Sequence, residues 1–471
     1  MVSINMNLSK YNYFSRRQFI GKGGYSELSK VAAPLIVMSA SNVVMMFCDR
    51  LFLARAGTDM VAAAMPVGMM YFTLFCLYSG IVSFTSPLVA QLFGANDRHG
   101  CVRASWNGFY IGLAASLIII LLNPLIGKYI ILHSGMKAEL IAPSLDYLDG
   151  LWLSGVFPCL AIPLFCFFSG RGVTWPAGVV SAGACVLNVV LDYMFIFGKW
   201  GAPEWGIYGG GVATSLASCF SFVCAAVLFL LLPDQKEYPT RRKFGFRWEY
   251  VRKIVFYGAP AGMQVMTEVG AFAFMGFLVG SISVEAAAAT TIALSVNNFS
   301  FSPLLGFSDA TAIVAGQYIG RNRHGISEHT VYRAWRICFI YMLLCGLVYL
   351  TFPEFLSGLF APSGGGHGFE AVINLSVVIL ACAAVFNLTD SVKYVFMAGL
   401  RGAGDTVFVF LITTGAQWLI MVPGLYVIIH VLHGTVIQMW YFLTIYGSLE
   451  AALIFWRFRS GRWKKIKLID R

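Results

Sequence analysis

The chain has 471 residues, 58% of them hydrophobic and 12% charged, with a mean hydropathy of +0.74 and a net charge of +11. Soluble domains carry about 25% charged residues. This composition therefore excludes a soluble enzyme, a disordered regulator and a nucleic-acid module, and places the chain in a lipid bilayer.

Twelve charge-poor stretches reach the length that a hydrocarbon core demands, roughly 20 helical residues. The first half supplies 31–48, 60–96, 104–127, 150–170, 172–191 and 205–233. The second half supplies 254–284, broken by Glu268, and 286–320, broken by Asp309. Then come 337–353, 371–389 and the region 406–456, which is long enough for two spans with a turn near His430–Gly434. Lipid offers no partners for backbone amides, and these segments are too long for barrel strands, so all twelve are predicted helices. No cleavable signal peptide is expected ahead of them. Residues 1–30 hold Arg16, Arg17, Lys22 and Lys30 but no apolar run.

Basic residues set the orientation. With the N-terminus inside, the inner segments hold 27 Lys and Arg and the outer ones five: Arg50, Arg55, Lys128, Lys137 and Lys199. Lys393 stands alone within a span. Both termini are expected in the cytoplasm of a plasma or inner membrane protein, and the positive charge reads as a topology signal rather than a nucleic-acid surface. The eleven cysteines have no metal or redox spacing and read as small buried thiols.

The halves repeat. Ala33-Pro34 recurs as Ala259-Pro260, and at the same spacing Gln91, Gly94 and Asn96 recur as Gln317, Gly320 and Asn322. Arg-His-Gly at 98–100 returns at 323–325, and Gly-Arg-Gly at 170–172 has a counterpart at 399–402. Six spans per unit give parallel repeats related by an axis along the membrane normal, with a substrate site expected between them. The expected organisation is a segment 1–29, a first lobe 30–232, a linker 233–252, a second lobe 253–458 and a basic tail 459–471.

Carboxylates inside spans are costly and usually serve a cavity. Asp49, Asp192, Glu268, Asp309 and Asp390 are the candidates. Asn188 lies one helical turn before Asp192, so amide and carboxylate share a face, to which Thr214 can add a hydroxyl. Such oxygen clusters suit a hard cation or an exchangeable proton. Lys393, three residues after Asp390, is expected to snorkel to the inner surface or to pair with Asp390. Glu450, close before the basic tail, reads as interfacial. Prolines 34, 66, 87, 158, 163, 260, 303 and 423 are expected to bend their helices.

The motifs APLIVMSASNVVMMFCDRLFLARAG, VAQLFGAND, LNVVLDYMFIFG, GIYGGGVATS, GAPAGMQVMTEVGAF, LLGFSDATAIVAGQYIG and DSVKYVFMAGLRGAGDT, spread over residues 28–456, resemble the multidrug and toxic compound extrusion (MATE) transporters, most closely the NorM-like bacterial branch. The resemblance implies an all-α polytopic membrane protein of twelve helices in two six-helix lobes, related by a pseudo-twofold axis along the membrane normal. It implies no enzyme activity and no cofactor, but efflux of cationic amphipathic drugs or toxic organic compounds in exchange for H⁺ or Na⁺. Carried over by position, Asp49, Asn188, Asp192 and Thr214 match the first-lobe polar cluster of such transporters, and Glu268 and Asp390 the second-lobe carboxylates. A transient Na⁺ is expected at one of these pairs, with no structural metal. Ala54, Lys393 and Asp309 depart from the pattern, and Asp309 and Lys393 are candidate cavity charges. The expected partners are organic cations and lipid, with a monomeric chain. The rival reading is a flippase for lipid-linked precursors, which calls for several intramembrane Arg or Lys; here the interior is acidic.

Overall fold

The structure, a computed structural model, describes residues 21–232, 235–360 and 369–469, and every regular element among them is a helix. In the first half, α1 (Tyr25–Ala56) is span 1, and α2 (Thr58–Ser83) with α3 (Thr85–Gly94) forms span 2. Span 3 is α4 (Arg98–His133); α5 (Ala138–Gly150) and α6 (Val156–Gly170) form span 4 around a 3₁₀ turn at Leu151–Leu153. Spans 5 and 6 are α7 (Trp175–Phe197) and α8 (Gly206–Leu230). The second half runs through α9 (Trp248–Gly280), α10 (Val284–Gly320), α11 (His324–Thr351) and a short α12 (Pro353–Gly358). It continues with α13 (Phe369–Ala403), α14 (Thr406–Ala416), α15 (Val422–Tyr426) and α16 (Val436–Arg459). Eleven of these spans are long and apolar enough to cross a membrane. The twelfth, α10, has 37 residues but is interrupted by Ser, Thr and Asn, and it is packed on several sides by α1, α3, α11 and α13.

Local chemistry fixes several ends. Asp97 caps α4 by accepting from the Gly100 amide at 2.7 Å, and Ser283 caps α10 by accepting from Ala286 at 3.0 Å. Thr435 and Gln438 form a reciprocal capping box at the start of α16, just beyond the turn expected from the sequence. Pro423 lies between two π-helical turns, Gln417–Met421 and Val427–Val431, which accommodate its missing N–H and join α14 and α15 into span 11.

The sequence repeat is a repeat of contacts. Span 1 packs on span 8 and span 7 on span 2; exchanging the halves turns one pair into the other. At the axis, a Cβ on Gly94 would collide with the Gln317 carbonyl, and one on Gly320 with the Gln91 carbonyl. The two glutamines then reach across: Gln91 Nε2 donates to Gly402 O at 2.8 Å and Gln317 Nε2 to Gly170 O at 2.9 Å. Asn96 and Asn322, with φ of 65° and 60°, turn the chain out of spans 2 and 8. Each residue of the repeated motif thus has a task at the lobe junction.

An even number of spans brings the start of α1 and the end of α16 to one face, the face that also carries most of the Lys and Arg. Near this basic face the apolar cores are shared between halves. Leu28, Val31, Ala32 and Leu35 of α1 pack into a cluster with Leu304, Val314, Phe396 and Phe458. Reciprocally, Tyr250 and Ile254 of α9 pack with Leu88, Val102, Phe167 and Phe229. Toward the opposite face each cluster belongs to one half alone. The halves therefore share their cores at the basic face and keep separate cores toward the other, the arrangement expected of a cleft opening between them. The segments expected to be plain linker and tail also pack: Arg98 bonds Glu237 at 2.9 Å, and Trp463 and Leu468 are each 1% exposed.

Candidate functional site: two carboxylate clusters

The first cluster is the one the i, i+4 spacing predicts. Asp192 and Asn188 project from one face of α7 and are completely buried. Asp49 comes from α1, which packs along α7, and Thr214 from α8, which packs on the other side. An amide oxygen turned to two carboxylates would set acceptor against acceptors, so the nitrogen of Asn188 faces them. It donates to Asp49 Oδ1 at 2.9 Å and to Asp192 Oδ2 at 3.3 Å. The amide also lies 3.5 Å from Thr214 Oγ1, whose hydroxyl donates to Gly210 O at 3.0 Å. The Asp49 and Asp192 carboxyls sit within hydrogen-bonding reach of each other, beside Tyr147. Asp192 Oδ1 is buried with no partner. No ion pair reaches either acid among the described residues; neighbouring Arg50 is exposed and turns to Met46 Sδ. At about 4 Å and an effective dielectric near 20, two bare carboxylates repel by about 4 kcal/mol. Such a pair calls for a mobile cation, a proton or a metal ion, between them. Both acids lie within about 10 Å of helix rise from the end of their spans opposite the basic face.

The second cluster is assembled differently from the expectation. Glu268 of α9 accepts from Lys393 Nζ at 3.0 Å and from Tyr394 Oη at 2.7 Å. Lys393 also pairs with Glu450 Oε2 of α16 at 3.0 Å. Lys393 is 5% exposed, so it does not snorkel, and its partners are Glu268 and Glu450 rather than Asp390. Residues three apart on one helix occupy neighbouring faces, and Lys393 reaches the carboxylates of α9 and α16, with Asp390 near enough to feel its charge. Glu450 is no interfacial residue: it is 1% exposed, because α16 runs on to Arg459 and places it about 14 Å inside the helix end. Asp390 is 6% exposed and lies near Lys393, which attracts it, and near Glu268 and Glu450, which repel it, yet no hydrogen bond or ion pair reaches it among the described residues.

Asp309 occupies a third position. It is exposed although it lies deep among the helices, flanked by Cys166 of α6 and by Arg401 of α13. Exposure at depth, with residues of both halves alongside, is the signature of a cleft wall rather than a lipid-facing side chain. Arg401 is held by Gln264 Oε1 at 2.8 Å. Glu450, Tyr394, Arg401 and Gln264 were not legible as site residues. For Glu450 a signal existed, a carboxylate within a helix-length apolar stretch, but the basic tail masked it.

Two parallel half-repeats of membrane-spanning helices, with acids buried inside one of them and an acid exposed at depth between them, match the build of a membrane transporter. The chain belongs to the MatE family, whose model matches residues 34–194 and 260–427. It is 28% identical to the "Probable multidrug resistance protein NorM" of Bradyrhizobium diazoefficiens, over 92% of this chain and 93% of that one. It is 27% identical to the "Multidrug resistance protein PmpM" of Pseudomonas aeruginosa, over 84% of this chain and 82% of that one. Among solved structures, one titled "Outward-facing conformation of a multidrug resistance MATE family transporter of the MOP superfamily" superposes with a TM-score of 0.85 at 19% identity, covering 94% of this chain and 96% of the other.

Proposed function

We propose that this protein is a secondary antiporter that exports cationic amphipathic organic compounds in exchange for H⁺ or Na⁺. The observation that carries the reading is the first cluster: Asp49 and Asp192 face each other with no ion pair to either among the described residues, and Asp192 Oδ1 is buried with no hydrogen-bond partner there. An inorganic cation entering this pocket neutralises it; its departure restores the negative charge. The multidrug names of the relatives, which align over most of the chain, support the choice of organic substrates. Asp309, exposed at depth beside Arg401, offers a carboxylate that a cationic guest can contact.

The excess of Lys and Arg on the face where α1 begins makes that face cytoplasmic, so both termini lie inside a plasma or inner membrane. With the halves welded at the cytoplasmic side, the cleft opens outward, and the described state is the one that releases drug and takes up the ion. For coupling, ion and drug must each favour a different state. The proposed boundaries remain 30–232 and 253–458 for the lobes, and the chain works as a monomer. A flippase for lipid-linked phosphates needs several free cations in the cleft, whereas Lys393 is bracketed by two glutamates.

The test uses inverted membrane vesicles, a fluorescent organic cation, and an imposed pH or Na⁺ gradient. Wild type is expected to accumulate the dye under one of the two gradients, and Asp309→Asn to do so with a several-fold higher KM. Dye movement indifferent to both gradients contradicts the antiport.

A further inference from the structure

The two carboxylate clusters differ in one respect that the antiport reading leaves unused: among the described residues no ion pair reaches the first, whereas the second already contains a bonded cation. The Lys393 ammonium stands 3.0 Å from a carboxylate oxygen of Glu268 and 3.0 Å from one of Glu450, each contributed by a different helix. Its side chain is 6% exposed, and those of Glu268 and Glu450 are 13% and 1%. Tyr394 closes a further side, with its ring centroid 5.1 Å from Nζ and its hydroxyl donating to the same Glu268 oxygen. An ammonium has three N–H donors, and two are directed at carboxylates. This is the place a bound inorganic ion would take between two acids, filled instead by a tethered one. A diffusing ion must displace a charge that cannot leave.

We infer that Lys393 is a resident cation of the second lobe, that Glu268 and Glu450 are its permanent ligands, and that ion exchange runs through Asp49 and Asp192 alone. The inference rests on the antiport reading for its second half; its first half, that Lys393 blocks a latent cation pocket, stands apart from any transport. A lysine in this position also gives Glu268 a structural assignment in place of the exchange role expected from the sequence. Asp390, which Lys393 does not bond, is left as the one acid of this cluster without a partner among the described residues.

The experiment is equilibrium binding of ²²Na⁺ to the purified full-length protein in detergent at mildly alkaline pH, in choline buffer. Lys393→Gln is expected to bind one Na⁺ per chain more than wild type. Glu268→Gln or Glu450→Gln in that background is expected to abolish the extra site, and Lys393→Arg to add none. A monodisperse Lys393→Gln protein with no added Na⁺ overturns the inference. If that variant does not stay monodisperse, Glu450→Gln alone decides: wild-type Na⁺ stoichiometry is expected to be retained, and loss of one bound ion shows that the pocket exchanges with Lys393 in place. Dye transport by the wild type, measured in parallel, judges the antiport separately, because gradient-independent dye movement leaves the Na⁺ titration of the variants intact.

Discussion

Charge placement at single residues separates stability from transport. Asp49 and Asp192 are held against each other with only Asn188 between them and bulk charge, so neutralising one relieves repulsion. In Na⁺-free alkaline detergent, where no cation occupies the pair, Asp192→Asn is expected to raise the melting temperature by an amount corresponding to about 1–4 kcal/mol, while gradient-driven exchange falls at least tenfold. Thermal unfolding and vesicle transport on the same preparation check both halves of that statement. Lys393 behaves in the opposite sense. Removing one partner of a buried ion pair costs about 3–5 kcal/mol, so Lys393→Gln is expected to melt lower than wild type in choline and to recover in NaCl, as a ligand stabilises the state that binds it. Wild type is expected to show no such recovery attributable to Glu268 or Glu450. The reach of sequence reasoning is visible in the same residues. Asn188 and Asp192 announce themselves because four residues on a helix are one turn. Glu450 is harder to read, because its partner Lys393 comes from another helix and the nearby basic tail gives the carboxylate an interfacial look.

At the level of helices, the repeated Gln-x-x-Gly-x-Asn at the ends of α3 and α10 is the clasp of the molecule. The motif is readable as a repeat, but its purpose is not: Gln91 meets Gly402 and Gln317 meets Gly170, far away along the chain. Deleting either side chain leaves a buried carbonyl without its donor, a cost of about 1–3 kcal/mol, and loosens the junction at the basic face. Gln91→Ala and Gln317→Ala are therefore expected to shift the chain toward opening at that face to similar extents, as the pseudo-twofold requires. Cys101 and Cys166, 0% and 6% exposed near this junction, report it. Their labelling by a permeant maleimide, located by peptide mass mapping, is expected to accelerate several-fold in both variants. Equal labelling of wild type and variants removes the clasp role. The split of span 4 at Leu151–Leu153 and the π-turns around Pro423 lay beyond the sequence, since prolines announce a disturbance of the ladder but not which hydrogen-bond pattern relieves it.

For the whole molecule, the sequence disclosed twelve spans, their parallel repeat and the acid inventory, because hydropathy and spacing are local quantities. It did not disclose that the start of each half packs into the core of the other, Leu28–Leu35 with Phe396 and Phe458, Ile254 with Phe167 and Phe229. That exchange of helix ends welds one face and opens the other. Trp463 and Leu468 extend the weld, one in the second-half cluster and one in the first. Trp463→Ala, which empties a large buried site, is expected to destabilise by about 3–5 kcal/mol, read as a lower melting temperature, with the cleft acids untouched. The most direct measurement for the account as a whole is uptake of a fluorescent organic cation into inverted vesicles by the Asp49→Asn/Asp192→Asn double variant, set beside wild type under pH and Na⁺ gradients. Wild type is expected to respond to one gradient and the folded double variant to neither; wild-type uptake by the double variant contradicts ion exchange at Asp49 and Asp192.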